Sequence, residues 1–243
     1  MKDSIALVTG AATGIGEAVS RQLTKARARV AVCDVDETAG AALAEELGSE
    51  FILCDVSDFT SINNAVATCV ESLGVPAFAH LNAGVMTVGS DDEYLAIEDV
   101  PLENYRRIMG VNFGGVFHGL KALLPIMREN GGAITVTASI AGFPPIPIDP
   151  LYGATKAALI SLVRSIAAAN EGSNIRINAV CPGVVDTAIV PGAMRGNTEM
   201  MPASTLAAEI VDLLNNGVNG EIRVKLAQDK PAFAVAPVDL SSF

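Results

Sequence analysis

Short apolar runs alternate with longer segments of helical periodicity along most of the chain. The apolar runs predict β-strands near residues 5–9, 29–34, 51–55, 77–82, 132–138, 175–180 and 221–226. The segments between them predict helices near 14–27, 37–47, 58–72, 102–129, 151–170 and 204–215. Continuous apolar strands are typical of sheets that are covered on both faces. The alternation therefore predicts an α/β fold, a Rossmann-type doubly wound parallel sheet of about seven strands with helices on both faces.

The chain contains no linker, internal repeat or low-complexity tract, so we expect residues 1–243 to form a single domain. Two stretches are irregular. Phe143 to Pro150 is rich in proline, and Val185 to Pro202 mixes Gly, Pro, Met and Asn between a strand and a helix, which makes it a candidate lid. The last dozen residues have no clear element, so they either cover a neighbouring subunit or fray.

Charge and hydropathy narrow the range of partners. A formal net charge of −11 disfavours binding to nucleic acid and to an anionic membrane surface. The apolar run Ile5 to Val8 is too short for a secretory signal, and no 18-residue apolar stretch predicts a transmembrane helix. We therefore expect a cytoplasmic protein with a small-molecule partner.

The cysteine pattern does not predict a metal site. The four cysteines form no C-x-x-C pair, and neither His80 nor His118 is near them in sequence. Free cysteine in an apolar run behaves as a small hydrophobic residue, which fits a reducing compartment. The cysteines are Cys33, Cys54, Cys69 and Cys181.

A glycine-rich turn, Thr9 to Gly16, follows the first predicted strand and opens the first predicted helix. Glycine permits the tight turn and lets the backbone approach a pyrophosphate, while the helix N-terminus offers free N–H groups and the positive end of its dipole. Such turns are common, but the position between strand and helix indicates nucleotide binding. The candidate cofactor-binding residues are Gly10, Thr13, Gly14, Ile15 and Gly16.

Asp34 ends the second predicted strand, where a carboxylate can accept hydrogen bonds from the adenosine ribose hydroxyls. The same carboxylate repels a 2′-phosphate, and Ala12 and Thr13 provide no basic side chain to bind one, so NAD is favoured over NADP. The alternative is that Asp34 caps the next helix, although Asp36 is better placed for that cap.

Weaker signals follow the next two strands. Asp55 and Val56 follow the third strand, where an adenine could rest, and Asp58 is placed to cap the following helix. Small residues after the fourth strand would let a cofactor lie close to the strand ends; they are Asn82, Ala83 and Gly84.

Tyr152 and Lys156 are four residues apart in a predicted helix and therefore share one face. A nearby ammonium stabilises a phenolate and lowers its pKa, so the tyrosine could exchange protons with an alcohol. An arbitrary pair of this spacing is more often a surface tyrosine beside a solvated lysine. Ser139 changes this assessment, because it ends the fifth strand at the edge where ligands bind and could donate to a substrate oxygen. Otherwise it is an ordinary strand-end serine.

Asn112 lies inside the long predicted helix 102–129, between glycines that weaken a helix. This pattern indicates a local bend or a packed subunit contact. The alternative is an ordinary polar residue in a helix whose hydrogen bonds are satisfied.

Together these motifs resemble the short-chain dehydrogenase/reductase family, in its single-domain branch, from Thr9 to about Thr187. The family pattern T-G-x-x-x-G-x-G matches residues 9–16, its N-A-G motif matches 82–84, and its P-G motif matches Pro182 and Gly183. Several motifs in the correct order are far more specific than any one of them. The family's catalytic residues correspond to Asn112, Ser139, Tyr152 and Lys156.

The resemblance implies an oxidoreductase that moves a hydride between NAD(H) and a secondary alcohol or ketone. Tyr152 would be the general acid/base, Lys156 would lower its pKa and bind the nicotinamide ribose, and Ser139 would polarise the substrate oxygen. Asn112 would hold a water in a proton relay to Lys156. Further implied cofactor contacts are Pro182, Gly183, Val185 and Thr187. The family also implies a homodimer or homotetramer through the helices that hold Asn112 and Tyr152.

The substrate side departs from the family pattern. The glycine-rich end of the last strand is missing, and the loop after Thr187 is short. Apolar residues nearby suggest an apolar or cyclic alcohol, although they could equally be loop packing or a subunit seam. They are Ala141, Phe143, Pro144, Ile146, Ile148, Met194, Met200 and Met201. Two alternatives stay open: an NADPH-linked ketoreductase of the same family and a non-catalytic NAD-binding regulatory protein.

Overall fold

Eight strands form one sheet in a computed structural model that describes residues 1–89, 92–195 and 199–239. The sheet order is β3-β2-β1-β4-β5-β6-β7-β8. β1 to β7 are parallel, and β8 runs antiparallel to β7. The strands are β1 (Ile5–Thr9), β2 (Arg29–Asp34), β3 (Glu50–Leu53), β4 (Phe78–Leu81), β5 (Gly132–Thr137), β6 (Ile175–Pro182), β7 (Ile222–Lys225) and β8 (Phe233–Ala234).

Helices cover the sheet on both faces and create two separate apolar cores. Buried side chains of α3, α5 and α6 pack in one core, and those of α1, α2 and α8 pack in the other. Burial of both faces explains why the strands are continuous apolar runs. The helices are α1 (Gly14–Lys25), α2 (Glu37–Leu47), α3 (Phe59–Ser72), α4 (Leu102–Ile108), α5 (Gly115–Met127), α6 (Pro150–Ala169), α7 (Gly192–Arg195) and α8 (Ala203–Asn216).

The strand order reverses between β1 and β4, because the chain fills one half of the sheet before it crosses to the other. In open parallel sheets, ligands bind outside the carboxyl ends of the strands at this switch point. The fold therefore places the loops after β1, β4 and β5 around one crevice.

The predicted fold class is confirmed, and the seven predicted strands are present with ends within two residues of those expected. The segment expected over 102–129 is helical from Leu102 to Met127, and the irregularity expected at the glycines around Asn112 is a π-helical turn, Met109–Gly114. One prediction about the regular elements was wrong: the tail, expected to have no element, contributes β8 to the sheet edge.

Candidate active site

A cavity of about 520 Å³ opens at the carboxyl ends of the strands. Its walls include nearly all the residues that the sequence nominated for cofactor binding and catalysis. These are Gly10, Thr13, Gly14, Ile15, Asp34, Asp55, Val56, Asn82, Ala83, Gly84, Ser139, Tyr152, Lys156, Pro182, Gly183, Val185 and Thr187. Gly16 and Asn112 were also nominated, but neither lines the cavity.

The glycine turn needs glycine for backbone conformation and for space. Gly10 has φ 59°, and a Cβ there would lie 2.7 Å from the Cα of Ala83. Gly14 also has φ 59°, and its Cβ would lie 3.0 Å from the Thr187 side chain. A Cβ on Gly16 would lie 2.0 Å from the Gly10 carbonyl oxygen, so Gly16 lets α1 pack closely on the turn rather than contacting a ligand.

The N-terminus of α1 is left open toward the cavity. Thr13 precedes this helix without a side-chain capping hydrogen bond, and Thr13, Gly14 and Ile15 line the cavity. The next two helices are capped as predicted, by Asp36 on α2 and Asp58 on α3. Uncapped first-turn amides are suited to the phosphate groups of a dinucleotide.

Asp34 is fixed at the cavity edge by backbone donors. The Ala12 N–H donates to Asp34 Oδ2 at 2.8 Å, and the Asp36 N–H donates to Oδ1 at 3.0 Å. Each carboxylate oxygen has a second lone pair, so both can still accept from a ligand hydroxyl. The helix cap at α2 belongs to Asp36, whose side chain accepts from the Ala39 N–H. The capping alternative for Asp34 is therefore wrong.

Asn82 is held in a buried polar chain that reaches into the sheet. Its Nδ2 donates to the Gly10 carbonyl at 3.0 Å, and the Thr137 hydroxyl donates to its Oδ1 at 3.0 Å. His80 lies behind Thr137 and also hydrogen-bonds Thr135. Because His80 is fully buried, its pKa is lowered to about 3. Asn82 thus positions the glycine turn from the neighbouring strand.

Ser139, Tyr152 and Lys156 converge on one part of the cavity wall. The Ala141 N–H donates to Ser139 Oγ at 3.1 Å, which leaves the serine hydroxyl proton free to donate. The Lys156 Nζ lies 5.5 Å from the centre of the Tyr152 ring and donates to the Thr137 carbonyl at 2.9 Å. A hydroxyl donor, a phenol and an ammonium therefore face the same space.

Burial governs the ionisation of this trio. It raises the pKa of Tyr152 to about 12, although a hydrogen bond with Ser139 acts in the opposite direction. It lowers the pKa of Lys156 to about 8. The sequence predicted a lowered tyrosine pKa from the adjacent ammonium alone. The direction is reversed because desolvation of the phenolate is the larger effect.

Asn112 lies beneath the cavity rather than in its wall. Its Oδ1 accepts from the Val85 N–H at 2.8 Å, and its Nδ2 donates to the Val85 carbonyl and to the Thr155 hydroxyl. The side chain is fully buried, so these bonds use the amide to tie the loop after β4 to α6. The satisfied-polar alternative describes this side chain, and its predicted part in a water relay is not visible in these contacts.

Sequence reasoning missed Asp149. Its carboxylate is 2% exposed and accepts from the N–H and the hydroxyl of Thr87 and from the Tyr152 N–H. Asp149 caps α6 and also holds the loop that carries Val85 and Met86 against the catalytic helix. An aspartate directly before Pro150 could have been predicted to cap the helix, but the sequence gives no sign that Thr87 is its partner.

The apolar part of the wall comes mainly from the segments after Ser139 and after Val185. Of the residues nominated there, Ala141, Pro144, Ile146 and Ile148 line the cavity, whereas Phe143, Met200 and Met201 do not. Met201 is buried under the second core and bonds Val184 and Asp186 through its backbone. The side chain of Met194 lies outside the described residues. Lining residues that were not nominated include Cys54, Met86, Ile189 and Val190.

None of the helices in the described residues combines the length and hydropathy needed to cross a membrane. In the same ranges, no three His, Cys, Asp or Glu side chains are grouped so that they could hold a metal ion.

The fold and the cavity define a dinucleotide-binding oxidoreductase, because an open helix N-terminus, a carboxylate at the end of β2 and a Ser–Tyr–Lys trio share one site. The family model for short chain dehydrogenases matches residues 4–197, and the chain belongs to that family. Its members use a nicotinamide cofactor and act on small molecules.

Individual relatives are similar to the chain over most of its length. The trans-4-hydroxycyclohexanecarboxylate dehydrogenase of Sinomonas cyclohexanicum is 34% identical, over 80% of this chain and 77% of that protein. The mitochondrial borneol dehydrogenase of Lavandula x intermedia is 32% identical, over 77% of this chain and 71% of that protein. A crystal structure of a 3-ketoacyl-(acyl-carrier-protein) reductase from Brucella melitensis, complexed with NADH, superposes with a TM-score of 0.84 at 24% identity, covering 93% and 96% of the two chains.

Proposed function

We propose that this protein is an NAD-dependent dehydrogenase that interconverts a cyclic or otherwise apolar secondary alcohol and its ketone. The observation that carries the proposal is the convergence of Ser139, Tyr152 and Lys156 on one cavity that also has a dinucleotide cradle. Relatives that are named for a hydroxycyclohexane acid and for borneol, both of which have a ring, support the substrate class.

Ser139, Tyr152 and Lys156 have different roles in the proposed proton transfer. The hydroxyl of Ser139 donates to the substrate oxygen, and the phenol of Tyr152 gives a proton to that oxygen or accepts one from it. Lys156 supplies positive charge next to the phenol and binds a ribose hydroxyl. A bound nicotinamide dinucleotide accepts or supplies the hydride. Asn112 stabilises the arrangement by fixing the loop after β4 to α6.

The preference for NAD over NADP rests on Asp34. Its carboxylate lines the cavity and keeps free lone pairs for two ribose hydroxyls, whereas a 2′-phosphate would face like charge. Asp55 adds a second carboxylate to the cavity wall. The homodimer or homotetramer, the single-domain organisation and the cytoplasmic location stay predictions from the sequence.

The first experiment replaces Tyr152 by Phe. Purified protein is screened with NAD and NADP against a panel of cyclic secondary alcohols and ketones, and NADH binding is followed by its fluorescence. We expect a loss of kcat/KM of at least about 1,000-fold with NADH affinity nearly unchanged, because the phenyl ring keeps the packing and removes the proton donor. Retained turnover would rule out the role of Tyr152. Tight NADH binding without turnover of any panel member would favour the regulatory alternative.

The second experiment tests the cofactor choice. Replacing Asp34 by Ala should raise KM for NAD by about 10-fold or more, because hydrogen bonds to a charged group contribute about 1.5–3 kcal/mol. The ratio of kcat/KM with NAD to kcat/KM with NADP should fall as well. Asp36 is a matched control, because it is a neighbouring carboxylate that caps α2 and does not line the cavity. Asp36→Ala should cost stability without changing the cofactor ratio. A wild-type preference for NADPH would favour the ketoreductase alternative.

A further inference from the structure

Apolar side chains form most of the wall at the substrate end of the cavity. The segment after Ser139 contributes Ile140, Ala141, Pro144, Ile146 and Ile148, and the segment after Val185 contributes Ala188, Ile189, Val190 and Pro191. All of these side chains are apolar. Among the described residues that line the cavity, Lys156 carries the one cationic side chain, and its Nζ is occupied with the Thr137 carbonyl beside the Tyr152 ring.

Arg195 and Arg107 stabilise the loops that form the cavity walls. Arg195 pairs with Asp186 at 3.1 Å and donates to the carbonyls of Thr187 and Val190. Arg107 donates to the carbonyls of Met86 and Thr87. Neither guanidinium lines the cavity, so neither is placed to meet a substrate anion.

A buried acidic group acts in the same sense. The Asp149 carboxylate accepts from the Tyr152 N–H, whereas Asp34 and Asp55 line the cavity at the end proposed for the cofactor. An anionic substrate group that entered the apolar end would lose its hydration without gaining a counter-ion. An uncharged ring would instead replace water on an apolar wall.

From this distribution we infer that the substrate is uncharged: the site selects a neutral cyclic alcohol or ketone and discriminates against a carboxylate, sulfonate or phosphate on the same ring. The inference deepens the proposed function and rests on it. It separates this chain from its relative named for trans-4-hydroxycyclohexanecarboxylate, an anion, and places it with relatives whose named alcohols are uncharged, such as borneol.

The test compares two compounds with the same ring, the anion trans-4-hydroxycyclohexanecarboxylate and its uncharged methyl ester. Both have the same carbinol, so a difference in kcat/KM reports the charge. We expect the ester to be preferred by about 100-fold or more, because burying an unpaired carboxylate is strongly unfavourable. Binding of both compounds to the protein with NADH, followed by NADH fluorescence, gives a second readout that does not need turnover.

A pair of variants makes the test specific to the cavity. Ile148 lines the cavity and is 49% exposed, so an arginine there can reach a substrate carboxylate without being buried. Ile148→Arg should lower the ratio of kcat/KM for the ester to kcat/KM for the acid by about 10-fold or more. Phe143 belongs to the same segment, is 44% exposed and does not line the cavity. Phe143→Arg adds the same charge to the same loop and should leave the preference unchanged.

The outcomes separate the inference from the proposed function. An acid that is bound or oxidised as well as its ester, or better, overturns the inference and leaves the dehydrogenase intact. The inference is also overturned if neither compound binds at millimolar concentration, because the site would then not accept an uncharged ring of this size. Preferential binding of the ester, with no oxidation of it or of any alcohol in the panel, would retain the inference about charge and reject the dehydrogenase.

Discussion

Asp149 offers the sharpest test of how the site is built. It is 2% exposed and lies at the N-terminus of α6, where it accepts three hydrogen bonds. Two of them come from the N–H and hydroxyl of Thr87, and the third comes from the Tyr152 N–H. Replacing Asp149 removes one link between the loop after β4 and α6; a second link runs through Asn112 to Val85 and Thr155.

The expected loss of stability follows from these bonds. Asp149→Ala leaves the Thr87 N–H without an acceptor, which costs about 1–3 kcal/mol, and removes the α6 cap on the Tyr152 N–H, which contributes about 1 kcal/mol. The loss should therefore be about 3 kcal/mol, which corresponds to a fall in Tm of about 6–12 °C for a chain of this size. Asp149→Asn should lose about 2 kcal/mol, because the amide oxygen can still accept from one N–H group.

A second readout distinguishes charge from packing. The Asp149 carboxylate contributes to the raised pKa of Tyr152. In the proposed mechanism the Tyr152 phenolate accepts the proton during alcohol oxidation, so activity should rise with pH as the phenol ionises at its pKa. Asp149→Asn removes negative charge and lowers that pKa, and the rising limb of the kcat/KM profile should move to lower pH. Thr87→Val is the control, because it removes one hydrogen bond, keeps the carboxylate and should leave the limb in place.

Urea unfolding at pH 7 and the pH profile of alcohol oxidation provide the two measurements. The reasoning would be refuted by an Asp149→Ala variant as stable as the wild type. It would also be refuted by an Asp149→Asn profile that moves to higher pH. A shift in Thr87→Val equal to that of Asp149→Asn would show that loop position, and not charge, controls the phenol.

Three further predictions use contacts of the described residues. Gly10→Ala should abolish NADH binding because its Cβ would lie 2.7 Å from the Cα of Ala83, whereas Gly48→Ala, which has the same φ of 59° but open space, should cost only about 1 kcal/mol and keep NADH affinity. His80 has a folded pKa lowered to about 3, so its stabilisation is present above pH 6.5 and lost as the pH falls. In urea unfolding, the free energy of unfolding of the wild type should fall by about 2 kcal/mol more than that of His80→Gln between pH 7 and pH 5. Lys156→Met should eliminate turnover yet raise stability at pH 7 by about 1–3 kcal/mol, since the lysine pKa of about 8 reports an unfavourable buried ammonium; a destabilised variant in urea unfolding would contradict this.

Much of the site could be predicted because its residues are tied to strand ends. Asp34, Asn82 and Ser139 each follow a short apolar run, and parallel strands place their carboxyl ends at one edge. Local pattern and sheet geometry were therefore sufficient. The same logic did not reach β8, since a two-residue strand with Phe233 49% exposed gives almost no hydrophobic alternation.

Features that depend on distant partners could not be predicted from local pattern. The glycines around Asn112 indicated an irregular helix, but its π-helical form goes together with bonds to Val85 and Thr155, which lie far away in sequence. Asp149 is separated from Thr87 by 62 residues. A proline-rich stretch contains no information about such a contact.

The ionisation of the catalytic pair shows why spacing alone is insufficient. A Tyr–Lys pair on one helix face suggests an ammonium that lowers the phenol pKa, but the strength of that effect depends on whether the lysine stays charged. In this chain burial lowers the pKa of Lys156 to about 8 while it raises that of Tyr152 to about 12. Burial thus moves the pKa of each group in the direction that favours its neutral form. The spacing identifies the pair, but the strength of this effect depends on the packing around α6, which the spacing does not contain.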